Sequence, residues 1–344
     1  MNRRTAQSLA GLLVGFGIGA ALEARRIRSR FSFYDRTVVI TGGARGLGLV
    51  MARQLAGEGA QLALLARDLD ELRRAESELS QLGADVLILP CDLRDQNQVN
   101  EAIQRTIAHF GSIDVLINNA GIIQVGPLEH MTVEDFQNAM AIHFYGPLYT
   151  TLAVLPHMQR ARRGRIVNIS SIGGKIAFPH LLPYTASKFA LVGLSDGLRA
   201  ELRRDNIFVT TVCPGLMRTG SPPNAQFKGH HQREYAWFAI SDSLPLLSVD
   251  ADRAAHKIIE ACRRGSARLT VGVQTKAAIL LNELFPGAGA SLLSFANRLM
   301  PAPDPSGSNK TYTGRESQSA WAPSILTRLS EKAAASNNEN PLPD

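Results

Sequence analysis

The stretch Thr37-Val-Val-Ile-Thr-Gly-Gly-Ala-Arg-Gly-Leu-Gly48 joins a run of β-branched residues to a glycine-rich turn, and a helical pattern follows as far as Gly57. A strand, a glycine turn and a helix in this order present backbone N–H groups and a helix N-terminus to a pyrophosphate. The glycines follow G-x-x-x-G-x-G instead of the more usual G-x-G-x-x-G, and a glycine cluster alone is weak evidence. Its position predicts the first strand and the nucleotide turn of an α/β domain.

The chain beyond Gly48 alternates between short apolar runs and longer helical patterns. Strands are predicted at residues 61–66, 85–89, 113–118, 165–170, 207–212 and 268–272. Strands that alternate with helices build a parallel sheet with helices on its faces. The sequence therefore predicts an α/β fold, a doubly wound parallel sheet of the Rossmann type, as one domain over residues 35–275 with an extension at each end.

The composition limits the classes of protein to which the chain can belong. Of its 344 residues 45% are hydrophobic, which is enough to bury a sizeable core. Cys91, Cys213 and Cys262 lie far apart and match no metal or redox spacing, so we expect buried, inert thiols and no metal site. The net charge is +7, but residues 1–36 hold seven Arg and two acids. This distribution favours a membrane surface over nucleic acid as a partner.

Residues 8–22 form an uncharged apolar run with Arg on both sides. The run has 15 residues, whereas a spanning helix usually needs roughly 20. A minimal membrane anchor, a cleavable signal and a helix packed on the domain are all open at this point. Because more Arg follow the run than precede it, we expect residues 1–34 to anchor the protein with the domain in the cytoplasm. A soluble cytoplasmic protein is the alternative.

The segments near the C-terminus differ in composition from the domain. Residues 216–247 are irregular, with Pro222, Pro223, Gly229 and Pro245, and are typical of a substrate lid. Residues 276–300 are apolar and helical, and either cover an oily pocket or dip into a membrane interface. From Pro301 the chain is rich in Pro, Ser, Asn and charge, which predicts a disordered tail over residues 301–344.

A second stretch, Ser171-Ile-Gly-Gly-Lys-Ile-Ala-Phe-Pro-His-Leu-Leu-Pro-Tyr-Thr-Ala-Ser-Lys188, carries the candidate catalytic residues. Pro183 predicts that Tyr184 opens a helix, on which Tyr184 and Lys188 share one face because they are four apart. A Tyr-x-x-x-Lys pair alone is usually a solvated helix face. The ordinary pKa of tyrosine is about 10, and an adjacent cation lowers it. Tyr184 would then exchange protons near neutral pH while Ser171 orients a carbonyl or an alcohol.

Several motifs occur in the order and spacing of one enzyme family: Thr41-Gly-Gly-Ala-Arg-Gly-Leu-Gly48, Asn118-Asn-Ala-Gly121, Ser171, Tyr184, Lys188 and Pro214-Gly215. Together they resemble the short-chain dehydrogenase/reductase family over about residues 36–270. The resemblance implies a Rossmann fold, a nicotinamide cofactor and catalysis by Ser171, Tyr184 and Lys188. The family spacing of thirteen residues before the tyrosine selects Ser171 and leaves Ser170 structural.

The resemblance also implies which residues bind the cofactor. They are Tyr184 and Lys188 together with Gly42, Arg45, Gly46, Leu47, Gly48, Arg67, Asp92, Asn119, Ala120, Gly121, Pro214, Gly215 and Thr219. In relatives the acid that matches Asp92 contacts the adenine ring, and the turn that matches Pro214–Thr219 closes over the nicotinamide amide. The small residues Ala186, Ala190, Gly193 and Gly197 on the helix after Tyr184 resemble a dimer interface and imply a homo-oligomer.

The choice between NADP(H) and NAD(H) depends on the end of the second strand, at Arg67-Asp68. An acid there selects NAD by binding the ribose hydroxyl, and an Arg accommodates the 2′-phosphate of NADP. Asp68 stands three residues before Glu71 at a helix start, which is the capping-box spacing. Arg67 is then the phosphate ligand, and Arg45 resembles the second basic residue of NADP-preferring relatives. We expect NADP(H), with NAD(H) as the alternative.

His143 departs from the family pattern. A long helix is predicted from about Thr132 to Arg160, and in relatives an Asn stands in it three residues before a Gly, where this chain has His143 and Gly146. The backbone carbonyl of that Asn positions a water that relays protons to the lysine. His143 either serves in the same way, with its imidazole as an added proton carrier, or lowers the activity.

Two functions follow from these residues. The first is an NADP(H)-dependent oxidoreductase that interconverts a carbonyl and a secondary alcohol on a small apolar, lipid-like substrate. The second is a non-catalytic NADP-binding sensor or scaffold at a membrane, which the substitution at His143 suggests. The first is favoured because Ser171, Tyr184 and Lys188 are all present.

Overall fold

The computed structural model describes residues 31–244, 248–324 and 327–339. The apolar run 8–22, with its expected role as a membrane anchor, lies outside these residues. Phe31 and Phe33, near the start of the described chain, lie on the core, where their rings meet edge to face.

The central sheet follows the predicted strands closely. Within the described ranges its seven strands are β1 (Thr37–Thr41), β2 (Gln61–Ala66), β3 (Val86–Pro90), β4 (Val115–Asn118), β6 (Gly164–Ile169), β7 (Ile207–Pro214) and β11 (Arg268–Val271), all parallel, in the order β11-β7-β6-β4-β1-β2-β3. The strand order reverses beside β1, because β4 lies on one side of it and β2 on the other. A ligand crevice is expected at the carboxyl ends of the strands at such a point.

Helices cover both faces of the sheet. On one face lie α1 (Gly46–Gly57), α2 (Leu69–Gln81) and α8 (Ala251–Arg264), and on the other α3 (Gln96–Phe110), α5 (Gly146–Ala161) and α6 (Leu182–Leu202). Successive residues of a strand point to opposite faces, so Val38 and Ile40 join one apolar core whereas Val39 joins the other. The sequence-based α/β fold of the Rossmann type is therefore confirmed.

The remaining helices and strands surround the carboxyl edge of the sheet. They are β5 (Gln124–Val125), α4 (Val133–Met140), β8 (Leu216–Arg218), β9 (Gln226–Phe227), α7 (His231–Ser243), β10 (Ser248–Asp250), α9 (Val273–Leu284), α10 (Pro286–Asn297), β12 (Tyr312–Thr313) and α11 (Arg328–Ser336). The expected lid over residues 216–247 is therefore more regular than its composition indicates, because it includes β8, β9 and the helix α7.

The helix predicted from Thr132 to Arg160 is interrupted. A π-helical turn at Ala141–Tyr145 separates α4 from α5, and it contains His143. Single π-turns inside helices are frequent at functional sites. The apolar pattern of the segment continues through the turn and does not reveal the change in winding.

The described part of the tail, residues 301–324 and 327–339, departs from the sequence-based expectation of disorder over residues 301–344. Strand β12 pairs antiparallel with β9, and α11 packs on the domain with Ala334 only 1% exposed. Ser330 on α11 donates a hydrogen bond to Asp242 on α7 (2.9 Å). The polar side chains of this segment find buried partners, so a low apolar content does not prevent it from folding.

Helices α9 and α10 carry many exposed apolar side chains, including Leu281, Leu292 and Phe295. In the described part of the chain no single helix is long and apolar enough to cross a membrane, whereas α9 and α10 taken together meet that criterion with a bend of 117° between them.

Cys91, Cys213 and Cys262 are buried and free, as predicted for inert thiols. Burial raises the pKa of Cys91 and that of Cys262 to about 12, so both thiols stay protonated at neutral pH.

Candidate active site

The glycine turn lies at the carboxyl end of β1, where α1 begins. Gly46 has φ +54°, a left-handed conformation that side chains rarely adopt, and it is the first residue of α1. A Cβ atom at Gly48 would lie 2.0 Å from the carbonyl oxygen of Gly42, so only glycine allows this close approach. Leu47 between them is buried in the core. The turn therefore presents bare backbone, which fits a bound pyrophosphate.

The Asn119-Ala120-Gly121 turn closes against the glycine turn. The backbone N–H groups of Asn119 and Ala120 donate to Thr41 Oγ1 (3.0 and 3.1 Å). The amide of Asn119 donates to the carbonyl oxygens of Thr41 (3.2 Å) and Gly42 (3.1 Å). These bonds connect the carboxyl ends of β1 and β4, where the cofactor crevice is expected.

Ser171, the candidate catalytic serine, stands just after β6. Ser170 Oγ donates to the backbone carbonyl of Lys188 (3.0 Å), which is the structural role expected for it. Ser171 Oγ accepts a hydrogen bond from the Gly173 N–H (3.0 Å) and is also hydrogen-bonded to the side chain of Tyr184. The structure therefore brings Ser171 and Tyr184 together.

Helix α6 carries the other two candidate catalytic residues, Tyr184 and Lys188. It begins at Leu182 with Pro183 in its first turn, so Tyr184 is inside the helix and not its first residue. The Lys188 ammonium lies 5.6 Å from the centre of the Tyr184 ring and donates to the carbonyl oxygen of Ile169 (2.9 Å). The two side chains share one face of the helix, as predicted from their spacing.

The pKa of Tyr184 differs from the expectation. Burial raises the pKa of the phenol above its usual value, and the hydrogen bond with Ser171 only partly opposes the rise. Burial also lowers the pKa of Lys188 to about 8. The predicted net lowering of the tyrosine pKa by Lys188 is thus not what the structure shows, because the loss of hydration has the larger effect.

His143 is completely buried and both of its ring nitrogens have partners. The backbone N–H of Ile122 donates to Nε2 (3.0 Å), so the ring proton is on Nδ1 and is donated to Ser187 Oγ (2.7 Å). Ser187 in turn donates to the carbonyl oxygen of Tyr184 (2.8 Å). Burial lowers the pKa of His143 well below its usual value, and the charge of Lys188 adds to this. A neutral ring with both nitrogens engaged does not fit the added proton carrier that the sequence suggested.

The geometry gives His143 a positioning role instead. Its ring meets that of Tyr184 edge to face with centroids 5.3 Å apart. A Cβ atom at Gly121 would lie 3.0 Å from His143 Nε2 and 3.7 Å from Lys188 Nζ. The imidazole therefore joins the cofactor turn after β4 to the catalytic helix α6.

The end of β2 carries the residues expected to choose the cofactor. Asp68 caps α2 by accepting a hydrogen bond from the Glu71 N–H (2.9 Å), as predicted. Glu71 does not complete the capping box, because its carboxylate binds Arg45 (2.9 Å). Arg67 is exposed at the end of the strand.

Asp92, the expected adenine contact, follows β3 at the same edge of the sheet. Hydrogen bonds from Arg94 are the main cause that lowers the pKa of Asp92, and the charge of Arg67 adds to this. Arg67 therefore lies close enough to Asp92 for their charges to interact.

The turn after β7 forms the other wall. A Cβ atom at Gly215 would lie 2.3 Å from Thr275 Oγ1, so the backbone after Pro214 passes close to the start of α9. Thr219 is buried, and its carbonyl oxygen accepts a hydrogen bond from the amide of Asn337 (3.2 Å).

Sequence reasoning missed the residues of the tail that reach this site. Asn337, Asn338 and Glu339 follow α11 and contact both the glycine turn and the loop after β7. No motif marks them, and the one available signal was the helical run Arg328–Ser336 that carries them there.

Comparisons with known proteins agree with this geometry. A family model described as short chain dehydrogenase matches residues 36–226. A dehydrogenase/reductase SDR family protein 7-like of Anopheles gambiae is 39% identical over 195 residues, which cover 55% of this chain and 62% of that relative. An 11-beta-hydroxysteroid dehydrogenase-like 2 of Arabidopsis thaliana is 34% identical over 76% of this chain and 81% of its own length.

Solved structures show the same fold. A metagenomic short-chain oxidoreductase in complex with NADP is 29% identical, with a TM-score of 0.58 over 70% of this chain and 97% of that one. NAD+-bound xylitol dehydrogenase is 24% identical, with a TM-score of 0.62 over 70% and 99% of the two chains, a likeness that concerns the fold alone.

Proposed function

This chain belongs to the short-chain dehydrogenase/reductase family of oxidoreductases, and we propose that it uses NADP(H) to interconvert a carbonyl and a secondary alcohol on an apolar substrate. The observation that carries the proposal is the meeting of Ser171 with Tyr184, one helical turn from Lys188, at the carboxyl end of the sheet.

The chain's own residues handle the oxygen of the substrate. A bound nicotinamide supplies or accepts the hydride. The Ser171 hydroxyl holds the substrate oxygen, and in the reductive direction the Tyr184 hydroxyl donates its proton to that oxygen. With a pKa of about 8, Lys188 is mostly charged at neutral pH, so its ammonium stabilises the phenolate that remains.

The preference for NADP(H) is supported by Arg45 and Arg67, two guanidinium groups beside the end of β2. Asp68 is engaged as a helix cap, which argues against its use as a ligand of the ribose hydroxyl. The measurement is the dissociation constant of NADPH against that of NADH. Tighter binding of NADH would reject the preference and leave NAD(H) as the cofactor.

An apolar, lipid-like substrate is supported by the exposed apolar helices α9 and α10 next to the turn after β7, and by the hydroxysteroid name of the plant relative. The test is NADPH oxidation across ketones and aldehydes matched in shape and graded in chain length. If kcat/KM does not rise with the apolar surface of the substrate, the substrate class is wrong.

The second candidate is a non-catalytic NADP-binding sensor or scaffold at a membrane. It is favoured by His143, which replaces the Asn of the family pattern and engages both of its ring nitrogens. NADPH binding without NADPH oxidation on any substrate of that panel would support it over the enzyme.

We also propose that the protein binds a membrane surface, with the domain in the cytoplasm. The support is the apolar run 8–22 with its flanking Arg, together with the exposed leucines and Phe295 of α9 and α10. Co-sedimentation with vesicles of anionic lipid, for the full chain and for a chain that begins at Phe31, tests the first contribution. Equal recovery of both in the supernatant would reject the proposal in favour of a soluble protein.

We further propose that the protein forms a homo-oligomer in which α5 and α6 make the interface between subunits. Leu152 and Phe189 are exposed there, and a Cβ at Gly193 or Gly197 would meet nothing within 4 Å. A flat surface of small and apolar residues suits close helix approach between subunits. The molar mass in solution tests this, and a monomer at micromolar concentration would reject it.

A further inference from the structure

The first backbone N–H of α1 already has a partner from the tail. The Gly46 N–H donates to the carbonyl oxygen of Asn337 (2.8 Å). Free N–H groups at the start of this helix are what a pyrophosphate needs. A Cβ atom at Gly46 would lie only 2.5 Å from Glu339 Oε1, so the carboxylate also lies on the bare backbone of the turn.

The arginine expected to hold the 2′-phosphate is paired with the same segment. Arg45 lies 2.9 Å from the Glu71 carboxylate and 3.5 Å from that of Glu339. A phosphate beside Arg45 would compete with Glu339 for the guanidinium, and wherever the carboxyl is ionised it would also meet that negative charge at short range.

Residues 337–339, here called the clasp, are held from both walls of the crevice. On the glycine-turn side the amide of Asn338 donates to the Ala44 carbonyl (2.8 Å). On the other side the amide of Asn337 donates to the Thr219 carbonyl (3.2 Å), and that of Asn224 to the Glu339 carbonyl (2.8 Å).

Two further arginines fix the side chains of the clasp. Arg53 donates to Asn337 Oδ1 (2.9 Å) and Arg74 to Asn338 Oδ1 (2.7 Å). The helix α11 brings the clasp into place, since Ala334 Cα would be 2.3 Å from a Cβ atom at Gly220. The clasp is therefore docked by many specific bonds and does not lie there by chance contact.

We propose that the clasp occupies the phosphate side of the cofactor crevice in the resting protein and must leave it before NADP(H) binds there. The inference rests on the proposed function, because it takes the glycine turn as the cofactor site. The Gly46 N–H and the Arg45 guanidinium cannot serve the clasp and the phosphates together. Binding of the cofactor is thus coupled to release of residues 337–339.

The size of the effect follows from the fraction of molecules with the clasp released. If that fraction is about one in ten, the apparent dissociation constant is about tenfold above its intrinsic value. Removing the clasp would recover this factor without any change in the catalytic residues.

The experiment compares three proteins, the full chain, a chain ending at Ser336 and a matched control ending at Glu339. NADPH and NADH affinities are measured by titration calorimetry. Hydrogen exchange of residues 327–339 is followed with and without NADPH, so that the readout does not depend on turnover. We expect the chain ending at Ser336 to bind NADPH about tenfold more tightly, the control to match the full chain, and exchange in 337–339 to increase when NADPH is added.

Equal or weaker NADPH binding by the chain ending at Ser336 would overturn the inference. So would increased protection of residues 337–339 with NADPH, because the clasp would then close over the cofactor instead of leaving it. Failure of all three proteins to bind either dinucleotide would overturn the proposed function, and the inference with it. Glu339→Gln offers a second test if the shortened chain does not fold, and unchanged NADPH affinity in that variant would contradict the role of the carboxylate.

Discussion

The Nδ1 atom of His143 lies 2.7 Å from the Oγ atom of Ser187, the residue directly before Lys188 on the catalytic helix. Through its other nitrogen the same ring accepts a hydrogen bond from the Ile122 N–H, just after the turn that closes the cofactor crevice. The distance between that turn and the pair Tyr184 and Lys188 is therefore set by one buried side chain.

Replacing His143 tests this positioning role. His143→Leu leaves the Ile122 N–H without its acceptor, and a buried unpaired group costs about 1–3 kcal/mol, whereas the Ser187 hydroxyl loses one bond and keeps the one to the Tyr184 carbonyl. We expect a lower melting temperature and a lower kcat, with partial rescue in His143→Asn because an amide can also accept from Ile122. If His143→Asn instead removed an ionisation near pH 6–7 from the rate profile, the imidazole would be a proton carrier.

Tyr184→Phe removes the proposed proton donor and little else. Proton transfer by a positioned side chain contributes about 10²–10⁴-fold, so we expect kcat to fall by that factor while the dissociation constant of NADPH changes little. Tyr34→Phe, at a 75% exposed site, is the matched control and should leave kcat unchanged. Turnover close to wild type in Tyr184→Phe would reject the assignment.

Because of Lys188, the stability of the protein should depend on pH in the alkaline range. Burial lowers its pKa from 10.5 to about 8, so between these values the unfolded chain holds the proton more tightly than the folded protein. The free energy of unfolding of the wild type should therefore rise from pH 8 to 10.5, relative to Lys188→Met, by about 3 kcal/mol at most. Urea unfolding across this range measures the difference, and parallel curves for the two proteins would contradict a buried ammonium.

Glu339 should make the affinity for the cofactor depend on pH between about 4.5 and 7. Burial raises the pKa of Glu339 from 4.5 to about 7, against the charges of Arg45 and Arg315, and the neighbouring Glu71 adds to the rise. The docked clasp thus binds a proton more tightly than the released clasp, and docking weakens as pH rises through this window. NADP+ affinity should then increase from pH 5 to pH 8 by a larger factor in the full chain than in the chain ending at Ser336. Identical pH profiles for the two would contradict the prediction.

Arg67 provides a test of cofactor choice. Arg67→Ala should weaken the binding of NADPH by about tenfold, or about 1.4 kcal/mol, because one charged contact to the phosphate is lost. The affinity for NADH should change little. Titration of both cofactors gives the ratio, and Arg73→Ala, another exposed arginine on the neighbouring helix, is the control. A loss of equal size for NADPH and NADH would show that Arg67 does not read the 2′-phosphate.

The sheet and the catalytic residues were readable from the sequence for a physical reason. Parallel strands alternate with helices and carry their apolar residues in short periodic runs, so the seven strands of the central sheet could be placed within one or two residues. The carboxyl ends of parallel strands lie at one edge of the sheet. Ser171 after β6 and the Gly42–Gly48 turn after β1 therefore had to lie at that same edge.

The parts that sequence reasoning did not find depend on specific polar contacts. The docking of Asn337 and Glu339 uses hydrogen bonds between residues far apart in the chain, which leave no period in the sequence. The π-turn around His143 keeps a helical apolar pattern. The direction of the Tyr184 pKa depends on how far the folded chain excludes water from the phenol, and that is a property of packing.

Because all three thiols are buried, their reaction with an alkylating reagent would report local unfolding of the protein. An alkylating reagent attacks the thiolate, and Cys91 and Cys262 combine poor access with a pKa of about 12. Cys262 on α8 and Cys91 after β3 lie in the two separate cores, so the order in which they are labelled during gentle denaturation would tell which face of the sheet loosens first.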